Sequence, residues 1–152
     1  SAASDVYKRQ VSILQEIDYL KTYIALRKLR MSERLRLRVE FPPELNELNI
    51  YPLLFLPLVE NAFKYVGGDY QLDIIMKWEN NRISLFIRNS IPELSAEDEA
   101  LRKSVDERQR KGIGLVNLRR RLSLLYPNKH RLETRKEETE FVAELMIEIE
   151  DI

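Results

Sequence analysis

Apolar residues in the first part of the chain recur at three- and four-residue steps, which is the period of an amphipathic α-helix. The spacing relates Ile13, Ile17, Leu20 and Ile24. It predicts a helix from Val11 to Met31. Ser12 and Gln15 have the residue types of a capping box, in which the serine side chain satisfies a free amide of the first turn.

Five further segments have the composition of β-strands, and "RLRLRVEF" and the last segment alternate most clearly between apolar and polar residues. They are residues 34–41, 70–79, 82–89, 130–137 and 139–150. Pro42 and Pro43 end the first of them. Asn80 and Asn81 separate the second from the third, and because asparagine tolerates positive φ angles we predict a tight hairpin there.

Two more helices are predicted where apolar runs end at helix breakers. One covers residues 52–66 and is closed by a pair of glycines, and the other covers residues 115–126 and is stopped by Pro127. Residues 91–111 are highly charged and predict a mobile connector with some helical content. Because strands and helices mix without a regular βαβ rhythm, we predict an α+β fold: a two-layer α/β sandwich with one mixed, mainly antiparallel sheet and helices on one face.

The bulk properties exclude several functional classes. The 152 residues suffice for one domain with one core. The 25 basic and 25 acidic residues cancel, so we expect no nucleic-acid partner, and we interpret Arg119, Arg120 and Arg121 as a solvated face. The lack of cysteine and the single histidine, His130, exclude disulfides and zinc sites built from these residues. No apolar run approaches the roughly 20 residues that cross a bilayer.

The stretch "LPLVENAFKYV", residues 56–66, combines an apolar run with three polar side chains. At about 100° per residue, Glu60, Asn61 and Lys64 share one face of a helix and the apolar residues share the other. An outward face with an i,i+4 pair of Glu60 and Lys64 would explain part of this pattern. The presence of Asn61 at this position needs a further explanation, because asparagine is unfavourable inside a helix. Its amide oxygen suits Mg²⁺, while a carboxylate can orient water and a lysine can neutralise phosphate.

Gly112 and Gly114 open the next predicted helix in the sequence "GIGL". Glycines let a ligand approach the backbone closely, and the free amides of a helix's first turn attract anions. A simple chain reversal would use the same residues. The pattern is not a P-loop, since no G-x-x-x-x-G-K-[ST] occurs, and it is not a dinucleotide fingerprint, since the third glycine is missing.

Together, "LVENAFKY" and "GIGLVNLRRRL" resemble the N box and the second glycine box of GHKL (Bergerat-fold) ATPases. The closer match is to the catalytic domain of LytS-like sensor histidine kinases, in which PLVENA-x-KH and GIGL-x-N-x-x-x-RL helices recur. The segment "EIDYLKTYIALRKLRMSERL" is similar to the one that this class carries before its ATPase domain. The resemblance covers residues 12–150 and implies the Bergerat fold of histidine-kinase ATPase domains.

The residues and the resemblance together predict how the chain is organised. Residues 1–11 would be a disordered leader or a cloning remnant, because "SAASDVYKRQ" has neither a periodic pattern nor the apolar centre of a signal peptide. Residues 12–34 would be a linker helix from the missing dimerisation region. Residues 35–152 would be the ATP-binding catalytic domain, with residues 91–111 as the lid over the nucleotide.

Matched position by position, the family pattern implies a site for ATP and Mg²⁺. It assigns nucleotide binding to nine residues: Asn61, Lys64, Tyr65, Asn89, Gly112, Ile113, Gly114, Leu115 and Asn117. Asn61 would ligate the Mg²⁺ that bridges the phosphates. Glu60 and Lys64 would be the catalytic pair, the first as an acid–base or water-orienting group and the second as a phosphate contact.

The chain departs from the family pattern at three places. Tyr65 stands where the N box usually has histidine, and Leu56 stands where glutamine is frequent. The first glycine box, usually D-x-G-x-G, is replaced by "NSIP", residues 89–92. The aspartate of that box accepts a hydrogen bond from the adenine amine. Asn89 would accept it through its amide oxygen, without charge assistance.

The resemblance implies a protein-histidine kinase of a two-component system, which transfers the γ-phosphate of Mg-ATP to a histidine outside this chain. We expect the fragment to be inactive without that phosphoacceptor segment, because His130 lies at the start of a predicted strand and not on a long helix. The implied partners are the dimerisation and phosphoacceptor helix of a homodimeric parent kinase and a response regulator. The domain would be cytoplasmic, in a parent protein held in the bacterial inner membrane by segments missing here.

Two other functions stay open at this point. The altered first glycine box would suit a degenerate nucleotide-binding module that regulates a partner without kinase activity. An ATP-gated clamp or an anti-sigma-type serine kinase would share the fold, but neither accounts for the segment of residues 12–34.

Overall fold

Four helices and seven strands make up the part of the chain that this computed structural model describes, residues 9–45, 47–93 and 98–149. The helices are α1 (Ile13–Arg30), α2 (Leu56–Tyr65), α3 (Glu99–Lys111) and α4 (Ile113–Leu125). The strands are β1 (Val11–Ser12), β2 (Arg36–Glu40), β3 (Asn49–Ile50), β4 (Gln71–Glu79), β5 (Arg82–Ser90), β6 (His130–Lys136) and β7 (Glu140–Glu148).

The main sheet has five strands in the order β2-β4-β5-β7-β6. Only β2 and β4 run parallel, and the other neighbours are antiparallel. β1 and β3 form a separate two-stranded sheet. Asn80 and Asn81 connect β4 to β5 with φ angles of 52° and 60°, as the predicted hairpin requires. The predicted mixed, mainly antiparallel sheet of an α+β fold is therefore confirmed.

One face of the sheet forms the floor of the core. On β5, for example, Ile83, Leu85 and Ile87 are buried, whereas the residues between them keep partial exposure. β4 and β7 alternate in the same way except at Asp73 and Val142, which are also buried, because successive side chains of a strand point to opposite faces. Buried residues of α1, α2 and α4 join these strand residues in one apolar cluster, so the helices cover this face.

Helix α1 packs into the core through the residues that its periodicity predicts. The buried positions include Ile13, Ile17, Leu20 and Ile24. Ser12 caps the helix by accepting a hydrogen bond from the amide of Leu14 at 3.2 Å. Within the described ranges, no helix has the length and apolar character needed to span a membrane. The assignment of residues 12–34 as a linker stays a prediction; of the predicted leader, residues 1–8 lie outside the described residues, whereas Val11 is part of β1.

A buried polar node ties α1 and α4 to the segment that precedes α2. The carboxylate of Glu16 accepts a hydrogen bond from the amide of Leu53 at 3.0 Å. The guanidinium of Arg121 donates to the carbonyl oxygens of Leu53 and Pro52, at 3.1 and 2.8 Å. Leu53 itself has a φ of 60°, a conformation that costs free energy and needs such support. The interpretation of Arg121 as part of a solvated face was wrong, because helical periodicity does not reveal a loop folded against it.

A tight backbone crossing follows α2, where the two predicted helix-closing glycines lie. Gly68 has a φ of 62°, and a Cβ atom there would lie 2.7 Å from the carbonyl oxygen of Ile91. The hydroxyl of Ser90 donates to the carbonyl of Gly67 at 2.6 Å and accepts from the amide of Gln71 at 2.8 Å. The end of β5 and the end of α2 are therefore held as one rigid corner.

We expect Gly68→Ala to lower the free energy of unfolding by at least about 1–2 kcal/mol, because alanine is strained at this φ and would press on Ile91. Gly114→Ala is the matched control, since a Cβ there meets only the Cβ of Pro57 at an ordinary 3.9 Å. Urea unfolding of both variants measures the difference. Equal stability of the two variants would contradict the described corner.

The node at Glu16 predicts a dependence of stability on pH. Burial raises the pKa of Glu16 above its ordinary value of 4.5, and the Leu53 amide and Arg121 offset this only in part. The folded chain thus holds the proton more tightly than the unfolded chain, and the stability from this group is lost as the pH rises through the raised pKa. Glu16→Gln removes this titration and keeps an acceptor for Leu53.

We therefore expect Glu16→Gln to lose less unfolding free energy than the native chain as the pH rises from 4.5 through the raised pKa of Glu16, as measured by urea unfolding. Glu33→Gln, at an exposed position, should retain the native pH dependence. If Glu16→Gln also retained it, the carboxyl would not be buried as described.

Candidate functional site

Helix α2 presents one face to the core and the other to an open cavity. Its buried residues are Leu58, Val59, Ala62 and Phe63. Glu60 and Lys64 are exposed and Asn61 is half-buried, as their predicted common face requires. Pro57 stands in the first turn, and no side chain caps the helix there. On the buried side, Phe63 meets the ring of Tyr23 of α1 edge-on at 6.2 Å, which helps to fix the rotation of α2 about its axis.

The start of α4 supplies free backbone amides. Gly112 separates α3 from α4, and its carbonyl oxygen accepts the first hydrogen bonds of α4, from Leu115 at 3.0 Å and Val116 at 3.1 Å. The amides of Ile113 and Gly114 come before these bonds, in the part of a helix where amides have no helical acceptor. A Cβ atom at Gly112 would lie 3.0 Å from the carbonyl oxygen of Arg108, so glycine allows a close turn between the helices.

These elements enclose one cavity of about 630 Å³ between α2, α3 and α4. Its wall consists of Pro57, Glu60, Asn61, Lys64, Tyr65, Ser104, Glu107, Arg108, Gly112, Gly114 and Leu115. The polar face of α2 and the glycine turn, which are far apart in the sequence, therefore face each other across a single open space.

The structure brings together most, but not all, of the predicted site residues. The cavity holds Glu60, Asn61, Lys64, Tyr65, Gly112, Gly114 and Leu115. Asn117 is exposed on α4 and Asn89 is buried on β5, and neither lines this cavity. The side chain of Ile113 lies outside the described part of the chain. The roles predicted for all these residues stay predictions.

Asn89 lies near the end of β5. It follows the buried Ile87 by two residues, so both side chains are on the face of the sheet that the helices cover. It is only 1% exposed. Its side-chain oxygen accepts a hydrogen bond from the side-chain amide of Gln109 at 2.8 Å, and Gln109 is also 1% exposed. The group predicted to read adenine is therefore engaged by a side chain of α3.

The charges around the cavity are balanced. The carboxylates of Glu60 and Glu107 and the cations of Lys64 and Arg108 all line it. The ammonium of Lys64 lies 5.3 Å from the ring centre of Tyr65. The described residues contain no group of three or more histidine, cysteine or carboxylate side chains that could hold a metal ion. A single amide ligand at Asn61 fits a Mg²⁺ ion that keeps waters and is bound mainly by substrate phosphates, which is how Mg²⁺ usually binds.

Sequence reasoning missed four residues of α3. Ser104, Glu107 and Arg108 line the cavity, and Gln109 contacts Asn89. The spacing of the first three is i, i+3 and i+4, which places them on one helical face. A helix predicted over residues 91–111 would place Ser104, Glu107 and Arg108 on one face. The burial of Gln109 depends on long-range contacts that sequence spacing does not contain.

No family model matches the chain. The curated relatives that it matches include the sensor protein kinase HptS of Staphylococcus aureus strains USA300 and N315, each 27% identical over 127 residues. These alignments cover 80% of this chain and 24% of each relative, so the chain spans about a quarter of the length of these relatives. In sequence the chain is similar to part of a sensor kinase.

Solved structures share the fold. The catalytic domain of the histidine kinase ThkA superposes with a TM-score of 0.61 at 16% identity, covering 93% of this chain and 96% of that one. The mycobacterial sensor histidine kinase MprB gives 0.58 at 12% identity, covering 95% and 99%. Full-length ShkA in complex with AMPPNP gives 0.60 at 14% identity, covering 92% and 31%. The chain has the fold of histidine kinase catalytic domains, which confirms the predicted fold; the LytS-like subclass stays a prediction.

Proposed function

We propose that this chain is the ATP-binding catalytic domain of a sensor histidine kinase, which transfers the γ-phosphate of Mg-ATP to a histidine outside the chain. The observation that carries the proposal is the single cavity between the polar face of α2 and the first turn of α4. The likeness in sequence to HptS and in fold to ThkA supports the same function.

The phosphates would bind against the start of α4. The amides of Ile113 and Gly114 come before the helical hydrogen bonds, and a helix N-terminus attracts anions. Asn61 would hold Mg²⁺ through its amide oxygen from the opposite wall. The ion, when bound, would neutralise charge on the phosphates during transfer.

The charged side chains of the wall would position the transferred group. Lys64 lies one turn beyond Glu60 on α2, so both reach the same space as Asn61. Lys64 and Arg108 would stabilise negative charge on the phosphates, and Glu60 would orient the attacking group or accept its proton. Tyr65 replaces the usual histidine and supplies a phenol hydroxyl at the same wall.

Asn89 would read the adenine base. Its side-chain oxygen is a hydrogen-bond acceptor on the face of β5 that the helices cover, and the adenine amine is a donor. Because Asn89 is neutral, this bond would be weaker than one to an aspartate.

The acceptor histidine would come from a dimerisation helix of the parent kinase, in a homodimer, and the phosphate would pass on to a response regulator. His130 is the only histidine of the chain. It begins β6, with Nδ1 2.7 Å from the carbonyl oxygen of Tyr126, and it is not among the residues that line the cavity. We place the domain on the cytoplasmic side of a parent protein in the bacterial inner membrane.

A degenerate nucleotide-binding regulatory module is the second candidate function. Two observations favour it. Gln109 occupies the side-chain oxygen of Asn89 with a hydrogen bond. Ile91 stands where the family pattern has a glycine, and its backbone packs directly against Gly68. Phosphotransfer from ATP to a supplied dimerisation helix separates the two functions. Nucleotide binding with no transfer would favour the regulatory module.

We expect Asn61→Ala to remove the Mg²⁺-dependent part of binding to a non-hydrolysable ATP analogue. The loss should be about tenfold or more in affinity, equal to about 1.4 kcal/mol, because the variant lacks the protein ligand to the ion. Calorimetric titration with and without Mg²⁺ measures it.

Asn49→Ala, at an exposed position on β3 outside the cavity, is the matched control and should bind like the native chain. A native chain that binds the analogue equally with and without Mg²⁺ would defeat the proposed role of Asn61. A native chain that binds no nucleotide would defeat the proposed function.

We expect Asn89→Asp to bind ADP more tightly than the native chain relative to GDP. A carboxylate accepts the adenine amine through a charge-assisted bond, whereas guanine presents an oxygen at that position. Competition titrations with the two nucleotides give the ratio of affinities. An unchanged ratio would remove Asn89 from the base site.

A further inference from the structure

Gln109 of α3 and Asn89 of β5 form a deeply buried polar pair. Both side chains are 1% exposed, and the bond from the Gln109 amide to the Asn89 oxygen is 2.8 Å long. A buried polar group of this kind is costly to leave unpaired, so whatever replaces Gln109 must also donate a hydrogen bond.

The other side chains of helix α3 that the structure describes give it little anchorage. Among its side chains that the structure describes, Gln109 is the only buried one, and the others are exposed. The exposed ones include Leu101, at 55%, which could have packed against the core if the helix were docked through apolar contacts. Among the described side chains of α3, the bond from Gln109 to Asn89 is thus the buried contact that docks the helix, and we call this bond the polar latch.

The acceptor side of this latch is fixed. The residue that follows Asn89, Ser90, bonds to both Gly67 and Gln71, and Gly68 packs against Ile91. Asn89 thus belongs to the rigid corner between β5 and the end of α2. If the bond breaks, α3 is the element that moves.

We propose that Gln109 is a built-in competitor for the base of the nucleotide, an inference that rests on the proposed function. The amide of a glutamine and the exocyclic amine of adenine are both NH₂ donors, and both would use the side-chain oxygen of Asn89. With 1% of Asn89 exposed, a base cannot reach that oxygen while Gln109 holds it.

Nucleotide binding then exchanges one bond for another. The adenine amine takes the oxygen of Asn89, the amide of Gln109 is released to water, and α3 leaves the corner with it. The apparent affinity for adenine nucleotides is lowered by the fraction of chains in which the latch is closed. A partner that pulls α3 away would raise the affinity without touching the nucleotide.

The test compares Gln109→Ala with Lys103→Ala, which is the matched control because Lys103 is exposed on the same helix and does not line the cavity. The first measurement is amide hydrogen exchange of residues 99–111 in the full chain without nucleotide. We expect faster exchange in Gln109→Ala and native exchange in Lys103→Ala. Circular dichroism and thermal unfolding establish that both variants are folded.

The second measurement is calorimetric titration with ADP. We expect Gln109→Ala to bind about three- to tenfold more tightly than the native chain, in line with the net contribution of one hydrogen bond. Lys103→Ala should bind like the native chain. Weaker binding by Gln109→Ala would mean that Gln109 orients Asn89 for the base, and it would overturn the proposal, as would unchanged exchange in helix α3.

The two measurements also separate this inference from the proposed function. If none of the three chains bound ADP, the proposed function would fail, and the competition with a base would fail with it. The exchange data would still decide whether Gln109 holds α3 in place.

Discussion

Helix α2 is both a core element and a wall of the site, and the rest of the structure depends on how its rotation is fixed. Its apolar side is set by the sheet below and by the ring contact of Phe63 with Tyr23. Its start follows the segment that Glu16 and Arg121 hold, and its end joins the corner at Gly68. With both ends and one face fixed, the remaining face carries Asn61 into the cavity.

The two sides of the cavity are built differently. The α2 side is rigid, whereas α3 is held among the described residues by one buried side chain. Low local stability is typical of elements that move when a ligand binds. Under the proposed function, the burial of Asn89 is compatible with the openness of the cavity. The phosphate end of the site would be accessible in this structure, and the base end would become accessible when α3 moves.

Much of the fold and part of the site could be predicted from the sequence. The periods of α1 and α2, the Asn80–Asn81 turn and the strand alternation are local signals, and the structure follows them. The convergence of "LVENAFKY" and "GIGL" on one cavity could be expected only through resemblance, because spacing alone gives no distances. Arg121 and Gln109 escaped prediction because their partners are more than fifteen residues away, at 68 and 20 positions.

The proposed function requires that α2 and the start of α4 bind one magnesium–nucleotide complex. A two-dimensional ¹H–¹⁵N NMR titration with Mg-AMPPNP tests it most directly. We expect the side-chain amide of Asn61 and the backbone amides of Gly112 and Gly114 to shift together and saturate with one affinity. Shifts confined to residues that do not line the cavity, such as Asn49 and Lys129, or no shifts at saturating nucleotide, would contradict it.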